Sequence, residues 1–486
     1  MKTIYAKSRP GRKGYSLPSP KLDQGYYQQS ALPQDLRRAK PAGLPELPEV
    51  EVVRHYTNLS RLNFGVDVGT YPLGSCTMKY NPKFTEQAAR LPGFAGLHPL
   101  LPQLRRGGLL TQGALRVIYE TERLLCEITG MHAFTMQPMA GAHGELTGIM
   151  LMAAYHRDKG NRKSLVLVPD SAHGTNPASA ALAGYDVVTV PSKDGVMRPE
   201  ALKEKLSDQV AGVMMTNPNT VGLFNPHAAE IAEAAHQVDA LMYYDGANLN
   251  AIMGYAKPGE LGFDIVHLNL HKTFATPHGG GGPGSGPVGV VERLEPYLPI
   301  SRVVQRQDGT LFLDYDYPKS IGYIAPFYGN FGVILKAYAY ILALGGQGLK
   351  KVAEDAVLNA NYLRVKLAEH WQVAFDKPCM HEVVFTAEDK VKDYGVSALD
   401  VAKALIDEGY HPPTIYFPLV VKEALMIEPT ETETRENLDA FVEAMARIAR
   451  RAAEDPDSLH QAPHTTPVGR LDEVKAVRQP DLAEAE

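Results

Sequence analysis

The 486-residue chain is poor in cysteine: Cys76, Cys126 and Cys379 lie far apart, with no Cys-x-x-Cys pair. That excludes a disulfide framework, offers no zinc-ligand spacing, and makes a reducing cytoplasm the expected compartment. Long apolar runs are also missing. None approaches the roughly 20 residues needed to cross a bilayer, so no membrane span is expected. The basic opening, MKTIYAKSRPGRKGYSLP, has no apolar core and does not read as a secretory signal. Charge of one sign is scarce as well. A net charge of −6 and a pI of about 6.3 argue against nucleic acid or an anionic membrane as partner. There is no internal repeat, low-complexity tract or G-x-G-x-x-G fingerprint. What remains, 44% hydrophobic and 21% charged, is an ordinary globular composition with length enough for two or three domains.

The periodicity predicts an arm over 1–60, a large domain over 61–332, a helical connection with a smaller α+β domain over 333–454, and a tail over 455–486 that is either extended or an interaction segment. Within the large domain, an amphipathic helix over 113–130 precedes strands at 164–168, 186–190, 210–216, 240–244 and 265–270, with helices such as 199–206 and 227–237 between them. A long helical region over 333–370 is interrupted at Gly345-Gly346, and further strands are expected at 372–375, 382–386 and 416–421. Alternating strands and helices mean an α/β fold with a mostly parallel sheet.

Polar residues collect where the strands end, which in open α/β sheets is the edge that binds ligands. The last of these ends is His271-Lys272, followed by seven glycines within 279–289. A lysine there suits a Schiff base with an aldehyde cofactor, close to backbone that can approach a phosphate. Asp245, 27 residues upstream and followed closely by Ala247, ends the preceding strand. A buried carboxylate there could keep a pyridine nitrogen protonated. His173 ends another strand and could lie flat on a heterocycle. The small-residue turn Gly141-Ala142-His143 opens a helix, whose free amide groups favour an anion. Asn217 could donate to a phenolic oxygen beside the lysine, and Thr276 could reach a phosphate. Each has a plain alternative, such as a helix cap for Asp245 or an ordinary loop residue for His173.

Several segments are more specific: PLGSCTMKYNP (72–82), GFAGLHP (93–99), QPMAGAHGE (137–145), DSAHGTNPASA (170–180), TNPNTVGLF (216–224), DGANLNA (245–251), NLHKTF with PHGGGGPGSGPVGV, and EPTETET (428–434). Through them, and over nearly its whole length, the chain resembles the glycine-cleavage P-proteins, the glycine dehydrogenases (decarboxylating), and specifically subunit 2 of the split form. Met139-Ala140 departs from the more polar residues expected beside the phosphate turn.

The resemblance implies a fold-type I pyridoxal 5'-phosphate enzyme, with a seven-stranded, mostly parallel large-domain sheet and a smaller α+β C-terminal domain. It implies that Lys272 carries the cofactor, Asp245 pairs with its pyridine nitrogen and His173 stacks on its ring. Gly141, Ala142, His143, Asn217, Ala247, His271 and Thr276 complete the expected binding set. It further implies decarboxylation of glycine with transfer of the aminomethyl group to the lipoyl-lysine of the H-protein, release of CO2, and an α2β2 assembly with a subunit 1. The alternative is another fold-type I enzyme acting on a small amino acid. Arg302, the 323–330 stretch, His98 and Ser75-Cys76-Thr77 are candidates for holding the substrate or lining its entry.

Overall fold

A computed structural model describes residues 2–14, 33–40, 42–98, 101, 108–279, 282–326 and 328–481. The chain separates into two compact units, Met1–Gly65 and Val66–Glu486. In the first, helix α1 (Glu49–Ser60) begins after Pro48, and the segment before it is tied back by Arg9 N–H donating to the Glu46 carbonyl at 3.1 Å.

The second unit is built on seven strands: β1 (Ala133–Thr135), β2 (Leu165–Pro169), β3 (Asp186–Val190), β4 (Val210–Thr216), β5 (Leu241–Gly246), β6 (Ile265–Leu268) and β7 (Val288–Val290). Their spatial order is β1-β7-β6-β5-β4-β2-β3. The five strands β6, β5, β4, β2 and β3 run parallel, and β7 is antiparallel to both its neighbours. The near-continuous apolar run of β4, VAGVMMT, belongs to a strand buried on both faces. Strand periodicity then sorts β5: Met242 and Tyr244 enter one core with helices α2 (Gln112–Thr129) and α5 (Ala228–Gln237), whereas Leu241 and Tyr243 enter another with α3 (Gly141–Asp158) and α4 (Thr175–Leu182).

Helix α6 (Phe331–Leu367) leads from this layer to the C-terminal part. By length and composition it is the one described helix able to cross a bilayer. Yet Ile334, Ala337, Ile341 and Ala356 on it are buried in protein, and Gly345 breaks it at φ 58°, ψ −176°. It is a core helix. Beyond it, β8 (Gln372–Val373), β9 (Val383–Thr386), β10 (Thr414–Ile415) and β11 (Ala424–Ile427) form an antiparallel sheet in the order β8-β9-β11-β10. Helices α7 (Ala398–Asp407) and α8 (Arg435–Glu454) cover it, with Leu405, Phe441 and Met445 in its core. A capping box starts α7: Ser397 Oγ accepts from Asp400 N–H, and Asp400 returns the bond to the Ser397 amide at 2.9 Å.

Three expectations differ from what is found. The strand expected at 416–421 is a bend, because Tyr416 and Glu423 adopt left-handed φ values of 57° and 47° that extended backbone does not allow. The tail from 455 is not extended throughout. Asp455 caps a short helix, Pro456–His460, and Leu459 and Ala462 join the small-sheet core. Finally, the residue pattern did not mark β1 and β7, which are three residues each, β7 containing Gly289, the last of the glycine block.

Candidate active site

Strands β2, β4, β5 and β6 end at one edge of the sheet, and the turns that follow them wall a cavity of about 320 Å³. Lys272 stands in the turn after β6, where its amide donates to the Asn269 carbonyl at 3.1 Å. Its Nζ donates to the Ser75 carbonyl at 2.8 Å across the cavity. Asp245, at the end of β5, is 3% exposed; its Oδ1 accepts the Ala247 amide at 3.0 Å and lies 3.3 Å from His267 Nε2.

Burial opposes ionisation of Asp245, but His267, the Ala247 amide, Lys272 and His173 outweigh it and hold the carboxyl below its usual range. Burial keeps His267 below the ordinary histidine value, hence neutral, with Tyr243 Oη 2.8 Å from its Nδ1. His267 therefore faces the carboxylate as an uncharged ring, its Nε2 without a hydrogen-bond partner among the described residues.

Of the predicted site residues, Gly141, Ala142, His173, Asp245, Ala247, His271 and Lys272 line this cavity. Helix α3 begins at Gly141, where the small-residue turn was expected to open it, so its first amide groups face the cavity without intrahelical acceptors. His173 Nδ1 lies 2.9 Å from Thr175 Oγ1, which donates to Glu145 Oε1 at 2.9 Å. Burial lowers both His173 and His271, the latter to about 4, so each is uncharged at neutral pH.

Three predicted residues lie outside the lining. Asn217 uses its amide to brace its own loop: Nδ2 donates to the Asn225 carbonyl at 3.2 Å and Oδ1 accepts the Asn225 amide at 2.8 Å. His143 accepts the Met139 amide through Nδ1 at 3.2 Å. Thr276 is buried beyond the wall, its hydroxyl unpaired among the described residues. Arg302 lies 2.7 Å from Glu295 and lines a different cavity, as does His98. Ser75 and Cys76 do line the lysine cavity, and burial raises the Cys76 thiol, keeping it protonated.

The glycine block serves close packing. A Cβ on Gly286 would collide with the Ala140 carbonyl oxygen, and one on Gly284 would come within 2.9 Å of His271 Nδ1. Small residues there let β7 press against the start of α3.

Acidic groups were missed. Glu145 is 5% exposed, and burial with Asp245 nearby raises it to about 8, so it is neutral beside an ionised partner. Glu382 also lines the cavity, with Glu428 behind it. The signal available was a lone acid next to an apolar strand, as in HEVVF and MIEPT.

The profile of the glycine cleavage system P-protein matches residues 109–309, and that of the glycine dehydrogenase C-terminal domain matches 352–464. The probable glycine dehydrogenase (decarboxylating) subunit 2 of Caldanaerobacter subterraneus subsp. tengcongensis is 57% identical over 98% of this chain and 97% of its own. The chain belongs to the glycine dehydrogenase (decarboxylating) subunit 2 family. The corresponding protein of Desulforamulus reducens is 55% identical over 99% of this chain and 98% of its own. As a subunit 2 of the glycine-cleavage P-protein, the chain is an enzyme of glycine decarboxylation.

The fold matches too. The crystal structure of glycine decarboxylase (P-protein) of the glycine cleavage system, in inhibitor-bound form, superposes with a TM-score of 0.71 at 23% identity, over 88% of this chain and 95% of that one. A Lactobacillus brevis glutamate decarboxylase superposes with a TM-score of 0.63 at 12% identity, over 90% and 96%. The architecture is that of the fold-type I enzymes, as expected.

Proposed function

We propose that this subunit 2 decarboxylates glycine with pyridoxal 5'-phosphate held at Lys272, releases CO2, and transfers the aminomethyl group to the lipoyl-lysine of an H-protein. We further propose that it does so in the cytoplasm, beside a subunit 1 in an α2β2 assembly. The observation that carries this reading is the placement of Lys272 and the ionised Asp245 on one cavity at adjacent strand ends.

The residues present fit the cofactor. Besides the lysine and the carboxylate, Asn269 Oδ1 and Glu145 Oε2 on the cavity lining are buried polar atoms without partners among the described residues. Buried polar groups are seldom left unpaired, so such a cluster favours a polar ligand. When bound, the cofactor supplies an electron sink for the pair released as the carboxylate leaves the glycine α-carbon.

The chain's own residues then have definable tasks. Asp245 would keep a pyridine nitrogen protonated by its negative charge, and the Ala247 amide, bonded to Oδ1, holds that carboxylate in one orientation. His173 offers a ring face to the heterocycle, while the Gly141 and Ala142 amides suit the phosphate. Lys272 would hold the cofactor through Nζ, which here donates to the Ser75 carbonyl, and would yield that place to the amine of glycine. Exclusion of water would matter during the reaction, because early protonation of the remaining carbon would give methylamine.

Glycine, the partner subunit and lipoylated H-protein are combined, and exchange of the glycine carboxyl with labelled bicarbonate is followed. Exchange that depends on all three is expected. Formation of a keto acid without exchange would instead support a different fold-type I reaction.

A further inference from the structure

The cavity has a second wall that the reaction as described leaves without a task. It comes from the small sheet, where His381 and Glu382 precede β9 and Glu428 follows β11; they are 3%, 2% and 0% exposed. One nitrogen of His381 and one carboxyl oxygen from each acid lie within 4.8 Å of one another. Glu382 Oε2 accepts the Ser75 amide at 2.8 Å, and the carbonyl of the same serine accepts Lys272 Nζ at 2.8 Å. One residue therefore stands between a buried acid and the lysine.

Ser75 is held for this. Its φ of 62° is left-handed, a conformation a non-glycine residue adopts only when its surroundings hold it there. The flanking chain is sewn to the small sheet. The Gly74 amide donates to the Met426 carbonyl at 3.2 Å, Thr414 Oγ1 donates to the Gly74 carbonyl at 2.7 Å, and Thr77 Oγ1 donates to Glu428 Oε1 at 2.6 Å. Glu428 Oε2 and His381 Nδ1 are buried without partners among the described residues.

We propose that Glu382 is a positioning residue that, through Ser75, sets where Lys272 rests and, together with Glu428, how readily the lysine nitrogen keeps its proton. This rests on the reading that Lys272 carries the cofactor.

Burial and the neighbouring Glu428 push Glu382 well above the carboxylate range, and burial raises Glu428 to about 7. At neutral pH the pair holds a proton and loses it as the pH rises. Several other groups face the pair. Burial keeps His381 near 3 and raises the Cys76 thiol, and Glu431, behind Glu428, is paired with Lys79 at 2.7 Å. On the opposite wall Asp245 stays ionised, His173 is uncharged, and Glu145, at about 8, titrates in the same window. A second negative charge on the Glu382–Glu428 pair favours the protonated lysine nitrogen, whereas a neutral amide in its place does not.

The test is a pH titration of the visible absorbance of the cofactor-loaded protein, for the parent, E382Q and E428Q, with E382A as a fourth arm. Glutamine at 382 keeps an acceptor for the Ser75 amide, so E382Q should retain the band with its transition moved to lower pH by about 0.5–1 unit. E428Q should move in the same direction. E382A, lacking the acceptor, should also capture added cofactor more slowly than E382Q. An unmoved transition in both glutamine variants overturns the proposal, and so does equal capture by E382A and E382Q. Should one glutamine variant fail to fold, the other decides. Failure of the underlying reading is distinct: the band would be absent in the parent or would persist in K272A.

Discussion

Replacing Glu145 with glutamine tests the electrostatics of the site with least disturbance. The carboxyl sits against Asp245 and is raised from 4.5 to about 8, first by burial and then by that charge. A shift of this size stabilises the cofactor-free fold by at most ~5 kcal/mol below pH 4.5. The sign follows from proton counting. The folded state keeps the proton that the unfolded state has lost, so this stability drains as the pH rises from 4.5 through 8. About 3 kcal/mol of the ceiling remains to be lost between pH 6 and 9, and sharing of the proton with Asp245 reduces that to about 1–3 kcal/mol. Glutamine cannot ionise, and its Oε1 can still accept from Thr175. E145Q should therefore already be the more stable at pH 6, and its advantage over the parent should grow by about 1–3 kcal/mol by pH 9. Thermal unfolding of the cofactor-free proteins across that range reads the difference, a few degrees at this chain length. A Tm difference that stays constant with pH, or that favours the parent at pH 9, would refute the placement of a neutral acid beside Asp245.

D245N removes the charge assigned to the pyridine nitrogen but keeps the shape. Bicarbonate–glycine exchange should fall by about 100-fold or more, roughly 3 kcal/mol of barrier, with the fold intact by circular dichroism. H173A loses one aromatic face, so the cofactor dissociation constant should rise by about 2- to 12-fold in a fluorescence titration. G286A forces a Cβ against the Ala140 carbonyl. Unfolding should show a loss of about 1–3 kcal/mol, with weaker cofactor binding because the start of α3 must move.

The parts of the site that were legible in the sequence share a local signature. Lys272, Asp245 and His173 are each polar residues closing or following an apolar strand, and parallel strands bring their C-terminal ends to one edge whatever their order. Side-chain direction was not legible. Asn217 has the same signature, yet its amide turns back onto Asn225, eight residues on, to hold the loop. The second wall was hidden for another reason. Ser75, Glu382 and Glu428 come from three distant segments, and only folding of the small sheet against the 72–77 stretch makes them neighbours. The sheet core was read from its apolar runs, while β1 and β7 were too short and too glycine-rich at their margins to give a period. The tail's packing depends on Leu459 and Ala462 meeting a core whose shape no local pattern reveals.

The central claim is that Lys272 is the covalent seat of the cofactor. Borohydride reduction of the cofactor-loaded protein, followed by peptide mapping in a mass spectrometer, tests it directly. The account predicts the reduced cofactor on the peptide that contains Lys272 and no labelled peptide in K272A. Label on another lysine of the parent, or an undiminished label in K272A, would contradict it.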